Sequence, residues 1–146
     1  MKVRMASWTK RAACLGKDVN WWFPEVNSSN RRTAATVAVE NRAKRICAKC
    51  PVRRDCLTEA IGFNEEYGIW GGTLPGDRRE AAHLPTCRPG TKAFPNLCSG
   101  CRPVSEQVDL LLREAIIYAL NRGLVATREV DFDEFWGADA LRRNAR

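Results

Sequence analysis

The sequence lacks any apolar run long enough to be a signal peptide or to cross a membrane. The first residues, MKVRMASWTKRAACLGK, contain no apolar stretch of signal-peptide length. No later segment approaches the roughly 20 apolar residues of a transmembrane helix. These absences predict a cytoplasmic protein, in which thiols stay reduced.

Strand-like patterns and histidine are also scarce. No segment alternates apolar and polar residues over the length of a strand, apart from a brief piece at Val130 and Phe132. We find neither an internal repeat nor a low-complexity tract. The 146 residues contain a single His. A chain of this length suits one domain, or one small domain with an appendage, and we expect it to be mostly α-helical.

Positive charge is abundant and unevenly distributed. The chain has 24 Lys and Arg against 17 Asp and Glu, a net charge of +7. Residues 1–86 carry +6, the Pro- and Gly-rich residues 87–104 carry +3, and residues 105–146 carry −2. We divide the chain at these boundaries. The basic balance favours polyanionic or acidic partners, although a solubilising surface gives the same count.

Helices are predicted on both sides of a proline in the front segment. The first runs from a cap at Ser28, Ser29 or Asn30 to near Cys50, because Pro51 disfavours helical backbone in the residue before it. Pro51 then suits the first turn of a second helix. A short third helix is predicted in GDRREAAHL, with Asp77 as its cap.

The clearest helix lies in the last segment, in SEQVDLLLREAIIYALNRG. Its apolar residues follow the spacing of one helical face, and Gly123 stands at the C′ position. A further short helix is predicted in DEFWGADALRRNAR, which gives the chain a helical C-terminal extension. The predicted apolar face comprises Val108, Leu111, Leu112, Ala115, Ile116, Ala119 and Leu120.

The cysteines point to metal binding. Seven Cys in a reducing compartment, an odd number, argue for metal ligands before disulfides. Cys47, Cys50 and Cys56 surround the proline-broken helix junction, and Cys14 is the fourth Cys of the front segment. Four thiolates fit either Zn²⁺ or an iron–sulfur cube, and one isolated Cys with a C-x2-C-x5-C group is less typical of zinc. Five cations near the junction are expected to lower the thiol pKa values: Lys44, Arg45, Lys49, Arg53 and Arg54.

These features together resemble a known family. Cys14, the C-x2-C-x5-C group, the GIWGG stretch and the WWFP element after the first Cys occur in the order found in WhiB-like transcription regulators of actinobacteria and their phages. The resemblance covers residues 8–83. It implies a small helical bundle in which Cys14, Cys47, Cys50 and Cys56 hold a [4Fe-4S] cluster.

The resemblance also implies a partner. Family members carrying the cluster bind the C-terminal domain of the primary sigma factor on RNA polymerase through a largely apolar contact. The matching residues here are Trp8, Trp22, Phe23 and Trp70. Trp is a common interface anchor, and this chain has five. The alternative is that these aromatic residues fill a small core. Redox or nitric-oxide sensing is a further expectation.

DNA binding is less clearly indicated. The family places positive charge after the G-x-W-G-G turn, whereas here Arg78 and Arg79 are followed by a net acidic C-terminal segment. The candidate DNA contacts are Arg78, Arg79, Arg88, Lys92 and Arg102, and a solvated basic surface is the alternative.

The rear cysteines form a separate group outside the family's shared core. His83, Cys87, Cys98 and Cys101 give the pattern H-x3-C-x10-C-x2-C. One nitrogen and three sulfur ligands would suit a tetrahedral zinc ion that closes the loop. A disulfide or free thiols are the alternatives.

Two other functions compete with the sigma-factor partner. One is a zinc-stapled nucleic-acid-binding module, and the other is a thiol-disulfide oxidoreductase. The oxidoreductase gives WWFP and GIWGG no role, so we expect a regulator and not an enzyme.

Overall fold

The computed structural model describes residues 6–24, 31–83 and 102–130. Within these ranges the chain forms α-helices and short 3-10 turns but no strand, which confirms the expected mostly α fold. The 3-10 turns are Ser7–Arg11, Val19–Trp21 and Thr127–Glu129. The helices are α1 (Ala34–Ala48), α2 (Arg53–Gly62), α3 (Pro75–Ala82) and α4 (Val104–Asn121).

The first helix starts later than the sequence suggested. The Thr33 hydroxyl accepts a hydrogen bond from the Thr36 backbone N–H at 3.2 Å and caps α1. The predicted caps, Ser28, Ser29 and Asn30, lie outside the described residues. The helix ends at Ala48, close to the predicted end before Pro51.

The third helix begins two residues before its predicted cap. Pro75 opens α3, and the Asp77 carboxylate accepts a hydrogen bond from the Leu74 backbone N–H at 2.8 Å. Asp77 therefore caps the helix from within its first turn. Its assignment as the residue before the helix was wrong.

The fourth helix packs against all three others. Val108, Leu111 and Leu112 bury against Leu57 of α2 and Ala81 of α3. Farther along, Ile116 and Ala119 pack on Ala48 of α1, together with Leu124, Val125 and Val130. Gly123 ends the helix with φ +64°, as its predicted C′ position requires. The extension thus shares a hydrophobic core with the front segment.

Several predictions concern residues that the structure does not describe. They are Cys87, Cys98 and Cys101 of the rear group, Arg88 and Lys92, Phe132, and the short helix predicted after residue 132. Of the helices in the described ranges, none has the length and apolar character needed to span a bilayer.

Candidate metal centre

The four front cysteines line one cavity of about 470 Å³. Cys14 reaches it from the turn that follows Ser7–Arg11, and Cys47 from the last turn of α1. Cys50 lies in the junction before Pro51, and Cys56 in the first turns of α2. The helix break at Pro51 therefore turns three thiols of one short segment toward the thiol of a distant one.

Local hydrogen bonds hold this junction in place. The Cys50 backbone N–H donates to the Cys47 carbonyl at 3.1 Å, and the Cys56 N–H donates to the Val52 carbonyl at 3.0 Å. The Ala13 N–H donates to the Cys50 sulfur at 3.5 Å, which ties the segment carrying Cys14 to the junction. The two parts of the site are thus connected through a sulfur atom.

All four thiols line this cavity. In the described part of the chain, no three His, Cys, Asp or Glu side chains are arranged to hold a single metal ion. A structural zinc site needs four ligands on one ion, with each sulfur about 2.3 Å from it. A polynuclear cluster needs thiolates that are spread around a larger volume. Four cysteine thiols around one cavity are a donor set that suits an iron–sulfur cluster.

N–H groups are directed at the sulfurs. The Trp22 indole N–H donates to the Cys47 sulfur at 3.3 Å, in addition to the bond from Ala13 to Cys50. The backbone amides of Gly71 and Gly72 act on the Cys56 and Cys47 thiols and lower their pKa. Such donors offset the negative charge of cysteine ligands and tune iron–sulfur centres.

The thiol pKa values contradict the expectation drawn from the cationic neighbours. Burial raises the pKa of Cys47 to about 11 and that of Cys56 to about 12, despite the amide donors. Burial, followed by the nearby Cys50, also raises the pKa of Cys14, which lies at the exposed edge of the cavity. Thiols shifted in this direction are weak nucleophiles at neutral pH.

The cations fail to lower these pKa values because most of them point toward the extension. The Lys44 ammonium lies 4.0 Å from the Tyr118 ring centroid, and the Arg45 Nε donates to the Leu124 carbonyl at 3.1 Å. Two others form ion pairs with the extension, and Arg53 is the one that lines the cavity. The ion pairs are Lys49–Glu129 and Arg54–Asp109, each at 2.7 Å.

The glycine-rich turn passes close against the helices. Gly71 has φ +56°, and a Cβ there would lie 2.5 Å from the Leu57 Cγ, so only glycine fits. The Trp70 and Thr73 backbones bond to each other across the turn, at 3.1 and 2.9 Å. This tight turn brings the amides of residues 71 and 72 to the sulfurs.

Arg78 secures the same turn, a role that the sequence analysis missed. Its side chain is 6% exposed and donates to backbone carbonyls, and burial lowers its pKa to about 10. Its spacing offered a signal, because Arg78 lies three and four residues before the buried Ala81 and Ala82. A guanidinium so enclosed cannot reach a DNA phosphate, and Arg78 is therefore not a DNA contact. The accepting carbonyls belong to Glu65, Tyr67, Gly68 and Thr73.

Two other candidate DNA contacts, Arg102 and Arg79, differ in their exposure. Arg102 is half-buried and donates to the carbonyls of Ala81 and His83, at 3.0 and 2.6 Å. These bonds join Arg102 to the end of α3. Arg79 is exposed on α3. His83 is half-buried at the end of α3, and its predicted partners lie outside the described residues.

The four predicted sigma-contact residues all line the cavity. Trp8 and Trp70 are half-buried, and their indole N–H groups donate to Glu59 and to the Tyr67 carbonyl, at 2.8 and 3.0 Å. Phe23 is 47% exposed, whereas Trp22 is 7% exposed and belongs to the core. Sequence reasoning missed Leu15 and Val19, which also line the cavity and are each 62% exposed.

Comparisons with known proteins extend over this site. The family model for transcription factor WhiB matches residues 8–81. Over 73 residues the chain is 41% identical to the transcriptional regulator WhiD of Streptomyces coelicolor, a match covering 50% of this chain and 62% of WhiD. It is 39% identical over 72 residues to WhiB2 of Mycobacterium tuberculosis, covering 49% and 70% of the two chains. It is 37% identical over 71 residues to the redox-responsive transcriptional regulator WhiB3 of Mycolicibacterium smegmatis, covering 49% and 71%.

Proposed function

This chain belongs to the WhiB family of transcription factors, and we propose that it regulates transcription as an iron–sulfur protein. Cys14, Cys47, Cys50 and Cys56 hold a [4Fe-4S] cluster. In that form the protein binds the C-terminal domain of the primary sigma factor on RNA polymerase. The matched region is about half of this chain and 62% of the relative WhiD, and the proposed function rests on that region.

One observation carries the cluster assignment. Four thiols, three from residues 47–56 and one from the distant Cys14, line a single cavity of about 470 Å³. The amide of Ala13 and the indole of Trp22 donate to two of the sulfurs. When bound, the cluster supplies a redox-active centre and draws the buried thiols into their thiolate form.

The exposed edge of the cavity supports a response to small oxidants. Cys14 is exposed, whereas Cys47 and Cys50 are buried. We infer that an oxidant or nitric oxide approaches from the side of Cys14, the exposed thiol of the four. The relative WhiB3 is named as redox-responsive, which supports the same interpretation.

The cavity rim supports an apolar protein contact. Leu15 and Val19 are 62% exposed and Phe23 is 47% exposed, and all three lie beside the half-buried Trp8 and Trp70. A group of exposed apolar side chains at one opening is typical of a protein-binding surface. Trp22 supports this surface from the core and is not itself a contact.

Anaerobic co-purification tests the proposal. The full chain is purified without oxygen beside the host's primary sigma factor, and iron, sulfide and zinc are measured per chain. We expect a brown protein with four irons and four sulfides per chain, to first order, that retains sigma factor. A colourless zinc protein without sigma factor would instead favour the nucleic-acid-binding alternative. Turnover of a disulfide substrate by the cluster-free protein would favour the oxidoreductase, which the raised thiol pKa values oppose.

We also propose a zinc ion on His83, Cys87, Cys98 and Cys101. The support is that the Arg102 backbone N–H donates to the Ala82 carbonyl at 3.1 Å, so the described residues on either side of the segment that carries these cysteines lie together. Replacing Cys98 and Cys101 by Ala should release one zinc and leave the visible chromophore intact. Loss of the chromophore in this variant would show that the two cysteine groups share one site.

A further inference from the structure

The exposed face of α1 carries positive charge alone. Arg42, Arg45 and Lys49 are exposed and follow one another by three and four residues, which places them on one side of the helix. The single carboxylate of α1 belongs to Glu40, which is 4% exposed and bound to Arg32. Like charges at this spacing repel each other, so helix stability alone does not favour the arrangement.

The extension adds one more cation beside them. The bond from Arg45 to the Leu124 carbonyl and the ion pair of Lys49 with Glu129 place residues 122–130 along the C-terminal half of α1. Arg128 is exposed in this segment, whereas the Arg122 guanidinium lies 5.6 Å from the Tyr118 ring centroid. Glu129 is the one carboxylate of the segment and is paired with Lys49. We call the four exposed cations the α1 basic face: Arg42, Arg45, Lys49 and Arg128.

Toward the start of α1 this side of the helix carries small exposed side chains. Ala38 and Ala35 are exposed about one and two turns before Arg42, on the same side of the helix. Their small side chains allow a rigid surface to approach the helix. From Arg42 to Lys49 the helix rises about 10 Å, at 1.5 Å per residue, which equals the axial rise of about three nucleotides of one DNA strand.

We propose that the α1 basic face binds the phosphates of duplex DNA. Lys and Arg side chains contact phosphates without reading base sequence, so the contact positions the protein and does not select a promoter. The choice of DNA rests on the proposed function, because a regulator bound to the sigma factor acts beside promoter DNA. The site differs from the residues after the glycine turn, where sequence reasoning placed DNA contacts.

Salt-dependent binding tests the face on the full, cluster-containing chain. The probe is a fluorescently labelled duplex of random sequence, and anisotropy is recorded over a range of salt concentrations. The variant is Arg42→Gln with Arg128→Gln. The matched control is Arg11→Gln with Arg54→Gln, which removes the same charge from exposed positions near and on α2.

We expect binding of the wild type to weaken with salt. The slope of log K against log salt should be smaller by about 1.8 in the Arg42/Arg128 variant, since each lost phosphate contact removes about 0.9. The control should keep the wild-type slope. Equal losses in both variants would assign the effect to net charge and overturn the proposal, as would a wild type that binds no duplex at low salt. Unchanged duplex binding with lost binding of a Glu-rich peptide would assign the face to an acidic protein instead.

The same preparations separate this proposal from the sigma-factor proposal. The Arg42/Arg128 variant should retain sigma factor in co-purification, because neither side chain lines the cavity. The Arg42 guanidinium lies 4.8 Å from the Trp21 ring centroid, so iron per chain is measured in the same variant to show that the site is intact. A wild type that binds duplex DNA but not sigma factor would contradict the proposed function and leave the basic face intact.

Discussion

The two sides of α1 face different surroundings. On the cavity side, Cys47 and Ala43 pack with Trp22 and Ile69, and the polar contacts are N–H groups directed at sulfur. On the other side, Ala48 packs against α4, and the cations Lys44, Arg45 and Lys49 contact the extension. One 15-residue helix thus connects the candidate cluster site to a segment outside the matched family region.

The difference separates two sources of stability. The cavity side contains buried thiols whose pKa values are raised by burial, so metal binding there has to displace their protons. The extension side is held together by the packing of buried apolar side chains. Val108, Leu111 and Leu112 are each 1% exposed. We therefore expect cluster loss and loss of α4 packing to have distinguishable effects.

The largest expected effect is loss of the cluster. Replacing Cys14 by Ala should abolish the visible chromophore, because a ligand is removed and metal binding is coupled to local folding. Cys14 is exposed, so the substitution leaves no core cavity and α4 should stay packed. Iron and sulfide per chain measure the first effect, and far-ultraviolet circular dichroism the second. Wild-type iron and sulfide content would refute the ligand assignment.

The next effect should come from the extension side. Leu112→Ala removes a fully buried side chain of α4 and should destabilise the protein by about 2–5 kcal/mol. Ile117→Ala, on the 48% exposed side of the same helix, is the control and should change stability by less than about 0.5 kcal/mol. The melting temperature of the anaerobic protein and its iron content are measured together. If Leu112→Ala loses iron at low temperature, the two sides of α1 form one cooperative unit.

Some of the features that these substitutions test could be predicted from the sequence. The α4 stripe and the stop at Gly123 were predictable because helical periodicity and the C′ glycine are local signals. The cysteine grouping was predictable from Pro51 and the family resemblance. The directions of the Arg45 and Lys49 side chains could not be predicted, because their partners Leu124 and Glu129 lie 79 and 80 residues away in sequence.

Burial of a charged residue was equally hard to foresee. Arg78 and Arg79 are neighbours of the same type, yet one is 6% exposed and the other is on the surface. The two residues differ because only Arg78 donates hydrogen bonds to the backbone carbonyls of the turn. Those carbonyls belong to loop residues 65–73. The start of α1 was ambiguous for a simpler reason, since Thr33 follows three other residues that are good caps.

A smaller effect is expected at the cavity rim. Trp70→Ala should weaken sigma binding by about 2 kcal/mol, roughly thirtyfold, as expected for an interface anchor. Iron content should hardly change, because the ring is half-buried and its N–H bonds to the Tyr67 carbonyl and not to a sulfur. Phe63→Ala, at a 75% exposed position that does not line the cavity, is the control. Labile iron in Trp70→Ala would show that the ring is core, and full iron with normal sigma binding would contradict both interpretations.

The smallest effect concerns the ion pair that joins α1 to the extension. The Ala126 backbone N–H and then Lys49 lower the pKa of Glu129 below its ordinary value of 4.5. A lowered carboxylate pKa stabilises the fold above the unfolded-state pKa, and the stabilisation is lost as pH falls through the folded-state pKa. Glu129→Gln keeps an acceptor for Ala126 and removes only the charge, so it should lower the melting temperature slightly, and by less than Leu112→Ala. The difference from wild type should stay constant from pH 8 to pH 5 and shrink only below pH 4.5. A difference that already disappears between pH 7 and pH 5.5 would show that the Glu129 carboxylate is not held in its charged form. Apolar packing alone would then join the extension to α1 at this point.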